Sequence, residues 1–95
     1  MNEPTSLYTF VLDFEGGTYI SQVKAHDLKT AKVSWLAQLN IQSIPNFTEY
    51  MKEEILSGLN LENDVEVTGL IGVWCCSFLS CERFGLVHAI KTDCR

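Results

Sequence analysis

The sequence predicts an α+β fold of order ββααββ, a four-stranded antiparallel sheet with two helices packed on one face. Three observations predict it: a hairpin signal near the start, two helix-period segments in the middle, and extended apolar segments after residue 64. Hairpin-linked strands favour antiparallel pairing, and segregated helices favour a single covered face.

Leu7 to Phe14 alternates, with Tyr8, Phe10, Leu12 and Phe14 on one side and Leu7, Thr9, Val11 and Asp13 on the other. Glu15-Gly16-Gly17 supplies glycines for the positive φ of a tight turn. Thr18 to Ala25 completes the hairpin. Asp27 has the side chain of a helix N-cap. Leu28, Ala31, Trp35, Leu36 and Leu39 then form one apolar stripe, which predicts a helix over Leu28–Leu39. Pro45 breaks the pattern by disfavouring helical geometry at Ile44. Asn46 or Thr48 caps the second helix, whose apolar residues are Phe47, Tyr50, Met51, Ile55, Leu56 and Leu59.

After a polar connector, Leu61 to Asp64, the stretch Val65–Leu79 reads as a third strand with an irregularity at Gly69 or Gly72. Ser80 to Arg83 turns the chain, and Phe84 to Thr92 returns as the fourth strand. The third strand is apolar on both sides, with Leu70, Trp74, Cys76 and Phe78 opposite Ile71, Val73, Cys75 and Leu79. A half-solvated strand alternates apolar with polar. Either the sheet curls or the N-terminal tail shields its second face, or a partner covers it. For the second case a homodimer is the expected assembly, with Trp74 and Phe78 at its interface.

With 95 residues, the chain makes one domain, residues 1–95. Its longest uncharged apolar run is Gly69–Ser80, too short for the about 20 residues of a membrane-spanning helix, so no membrane is expected. No secretory signal opens the chain, and the expected location is cytoplasmic, with the cysteines as thiols. The 7 basic residues are scattered against 12 acidic ones, net charge −5, so nucleic acid is not expected as a partner. Glu49, Glu53, Glu54, Glu62, Asp64 and Glu66 concentrate the acid, opposed locally by Lys52 alone. Such a run is either a solvated face or a landing surface for a basic protein.

No motif fixes a reaction. Cys75 and Cys76 would point to opposite faces of a strand, and the set Cys76, Cys81, His88 and Cys94 fits no zinc spacing, so neither metal nor cofactor is expected. His88 faces Leu86 and Ile90, as packed histidines do, and no oriented nucleophile is identifiable. Glu53 and Glu54 diverge on a helix, and Gly16-Gly17 lacks a phosphate-loop continuation. The function expected is a non-enzymatic binding module. The alternative is a small dimeric enzyme or ligand-binding subunit with a pocket around Trp74, His88 and Tyr19.

The segment Leu7–Trp35, LYTFVLDFEGGTYISQVKAHDLKTAKVSW, resembles small bacterial proteins that open with a Gly-Gly hairpin and follow it with a Trp-bearing helix. It is similar in style to the acidic immunity proteins that neutralise toxins of competing bacteria, and to HicB-type antitoxins, though without a C-terminal DNA-binding region. The first resemblance implies a cytoplasmic inhibitor that occludes a basic toxin domain. Glu49, Glu53, Glu54, Glu62 and Asp64 are the residues expected to steer that partner.

Overall fold

The structure is a computed structural model, which describes residues 4–58 and 65–92. Strands β1 (Ser6–Phe14) and β2 (Gly17–Ala25) form the expected hairpin, in register from Ser6 opposite Ala25 to Phe14 opposite Gly17. Its two-residue loop is Glu15-Gly16, with φ of 52° and 85°, the backbone of a type I′ turn. Gly17 therefore belongs to β2, where the Tyr19 side chain fills the space a Cβ would occupy.

Helix α1 (Leu28–Gln38) starts at Asp27, whose carboxylate accepts the Thr30 amide at 2.8 Å. That helix buries Ala31, Trp35 and Leu36, and the Trp35 ring stacks on Phe10 with centroids 5.0 Å apart. A short 3-10 turn, Ile41–Ser43, follows. Helix α2 (Glu49–Gly58) is capped by Thr48, whose hydroxyl accepts the Met51 amide at 3.1 Å. Asn46 takes a different part: it has φ of 68°, and its side-chain amide donates to Glu15 at 3.0 Å.

The second half corrects the expected strand count. Val65–Leu79 is two strands, β3 (Val65–Glu66) and β4 (Val73–Ser80). Between them the chain reverses: Gly69 and Gly72 have φ of 86° and 76°, Leu70 N–H donates to the Val67 carbonyl, and Val67 N–H donates to that of Val73. Two glycines in left-handed geometry turn an irregularity into a reversal. Strand β5 (Arg83–Lys91) then pairs with both β4 and β1. Among the described residues the sheet has five strands in the order β2-β1-β5-β4-β3, all pairs antiparallel.

The helices cover one face. Tyr8, Phe10, Leu12 and Phe14 of β1, Cys76 and Phe78 of β4, and Val87 and Ala89 of β5 are buried there with Trp35, Met51 and Ile55. Phe14, Phe47 and Phe78 form one aromatic cluster, with centroids 5.2 to 6.1 Å apart. Phe78 is thus a core residue, 3% exposed, and not part of an uncovered face. Trp74 shares its face, tilted against Tyr8 at 6.4 Å. The opposite face carries Val11, Ile20, Leu79, Phe84, Leu86, His88 and Ile90, of which Ile20, Leu79 and Phe84 are exposed.

Candidate functional site

Helix α2 places the acidic residues, and it does not place them alike. Glu49 and Glu53 stand one turn apart on its exposed side, beside an exposed Tyr50. Lys52, the nearby cation, is committed elsewhere: its amine donates to the Leu39 carbonyl at 3.3 Å, at the end of α1. Glu54 points inward. It is half-buried and accepts a hydrogen bond from the buried Ser80 hydroxyl at the end of β4. This carboxylate ties α2 to the sheet and departs from the steering role expected of it. Glu62 and Asp64 lie outside the described residues. Glu66 is exposed in β3.

The pocket expected around Trp74, His88 and Tyr19 does not form. Trp74 and Tyr19 lie on the helix-covered face, while His88 lies opposite Cys75 and beside Val11 on the other face. The alternation of a strand forces this division, because neighbouring residues such as Trp74 and Cys75 point to opposite sides. The same alternation separates Cys76 from His88. Cys81 is exposed in the β4–β5 turn, and Cys94 lies outside the described residues. Among the described residues no group of three or more His, Cys, Asp or Glu side chains could hold a metal ion.

A wide-mouthed cavity of about 400 Å³ lies between β2 and the α1–α2 connection, lined by Thr18, Tyr19, Ser21, Asn40, Ser43 and their neighbours. Its lining offers hydroxyls and amides but no carboxylate, imidazole or amine, so it holds no acid–base pair. The two hairpin turns meet at one end of the sheet, where Arg83 forms an ion pair with Glu15 at 2.7 Å.

Three apolar residues that the sequence reading places on a strand or on the apolar side of the second helix, Leu70, Ile71 and Tyr50, are exposed in the structure. Ile71, 96% exposed, projects from the β3–β4 loop beside Leu70. The flanking Gly69 and Gly72 were the available signal, since a Gly-bounded apolar pair fits a loop tip as well as a strand. Tyr50, one of the apolar residues of α2 by sequence, is exposed between the two glutamates.

No described helix is long and apolar enough to cross a membrane. Comparison with protein-family models, with curated proteins and with solved structures gave no match.

Proposed function

We propose that this chain is a non-enzymatic protein-binding module whose α2 face receives a basic partner, in the manner of an immunity protein that occludes a bacterial toxin. The observation that carries the proposal is the exposed set Glu49, Tyr50 and Glu53, beside which the amine of Lys52 is turned to the Leu39 carbonyl. Paired carboxylates at the rim steer an oppositely charged surface during encounter. An exposed tyrosine between them supplies area and a hydroxyl, the qualities of an interface anchor. The partner is then inhibited by coverage rather than chemistry, in the cytoplasm where the toxin's targets lie.

The test is co-expression with the product of the adjacent reading frame, followed by rapid-mixing kinetics on the purified pair. A complex is expected, with protection of the host from that product's toxicity. The double reversal Glu49→Lys, Glu53→Lys should slow association about tenfold or more at low salt, and the difference should shrink as salt rises. A neighbouring metabolic gene with no complex, or an association rate indifferent to the reversal, sinks the proposal.

A further inference from the structure

We infer that the helix-free face of the sheet is covered by a second copy of this chain, packed with its strands antiparallel to the first. Phe84 (58%), Leu79 (64%) and Ile20 (67%) are exposed on this face, with Leu86 half-buried among them. Solvated antiparallel faces carry polar residues at such positions. The four long strands, about 4.8 Å apart and rising about 3.3 Å per residue, present a face of roughly 19 by 30 Å. Strands β4 and β5 are offset along the sheet from β1 and β2, so two copies related by a two-fold across the strands overlap over about three-quarters of the face and bury roughly 850 Å² even as flat projections, before side-chain relief is counted, close to the about 1,000 Å² a specific interface needs.

Charge selects the occupant and its direction. The charged side chains of β1 and β2 on this face are Asp13 and Lys24. Lys24 pairs opposite Leu7, so the two charges sit near opposite ends of the hairpin, about 20 Å apart along the strands. A two-fold axis lying between the sheets and across the strands swaps those ends. Lys24 of each copy then lies beside Asp13 of the other, and the face is complementary to itself. A two-fold along the strands would send each lysine to the far edge of the partner sheet. This surface is separate from the α2 face, so either can be occupied without the other.

The experiment is sedimentation of the full chain from micromolar to near-millimolar concentration. The expected species has twice the 10.7 kDa chain mass. Leu86→Glu should raise the dimer dissociation constant about 100-fold or more by placing an unpaired charge in the interface. Circular dichroism checks that this variant folds, and Ile20→Glu on the exposed edge strand serves as a second probe. Asp13→Lys and Lys24→Asp should each weaken the dimer about tenfold, and the double reversal should restore it. A monomer at every concentration, a dimer untouched by both apolar substitutions, or a double reversal no tighter than either single one overturns the inference.

Discussion

The ring of Phe78 occupies the space in which Gly85, its cross-strand partner, would carry a Cβ. Phe14 pairs with the same glycine from the other side, so a glycine separates two aromatic residues in one row of the sheet. Their rings meet above it, with centroids 6.1 Å apart. Any side chain at 85 would displace the ring that closes the aromatic cluster. Gly85→Ala should therefore cost about 1–3 kcal/mol of stability by overpacking. Urea unfolding measures it, and pairing the change with Phe78→Leu should recover part of the loss through coupling between the two sites.

The β4–β5 turn invites the opposite change. Cys81 and Glu82 have φ of 54° and 62°, although neither is glycine or asparagine. Left-handed geometry costs an ordinary residue about 1–2 kcal/mol, while glycine accepts it freely but loses more entropy on folding. Glu82→Gly should gain about 0.5–1 kcal/mol net. Thermal denaturation should show a rise of several degrees, at about 4–8 °C per kcal/mol for a domain of this size. A lower melting temperature would contradict the turn geometry.

Asp27 should contribute stability with a defined pH limit. Its carboxyl is held below the ordinary value of 3.8, first by the hydrogen bond from the Thr30 backbone amide. A depressed folded-state pKa means that the cap's contribution is complete above the unfolded value, and is lost as pH falls through the folded one. Asp27→Asn and Asp27→Ala should both unfold normally at pH 7, the alanine variant earlier than wild type. The gap between alanine and wild type should narrow below about pH 4, as the unfolded-state carboxyl protonates. Melting curves at pH 7 and pH 3 test this.

Ser80 and Glu54 form the polar tie between α2 and β4. Ser80→Ala would leave a half-buried carboxylate without that donor and should cost about 1–3 kcal/mol. Glu54→Gln retains an oxygen acceptor and should cost less. Equal losses in chemical denaturation would show that the charge of Glu54, rather than its position, makes the tie.

The first hairpin and the Asp27 cap were legible because local chemistry decides both: alternation with a glycine turn, and an oxygen placed for an amide. The split of the third strand was not. Val65–Leu79 has strand character throughout, and glycine permits a reversal without demanding one. The face occupied by Phe78 was equally hidden. A strand apolar on both sides carries no mark of which side is covered, and only the row Phe14–Gly85–Phe78 assigns it. The acidic run told little about Glu54, because its partner Ser80 lies 26 residues further on. Composition alone does not separate a solvated carboxylate from one that bonds across the fold.

The position of β5 also sets an order of events during synthesis. Of the described strands it is made after the other four, yet it lies at the middle of the sheet, with β1 on one side and β4 on the other. The first hairpin and both helices leave the ribosome before it, and the row beneath Trp35 and Met51 stays incomplete until Val87 and Ala89 arrive. A nascent chain stalled ahead of Arg83 holds two separate edges with nothing to join them. Such an edge is a template for pairing with another chain. The time between the emergence of β1 and that of β5 is therefore the interval in which β1 is open to association with another chain.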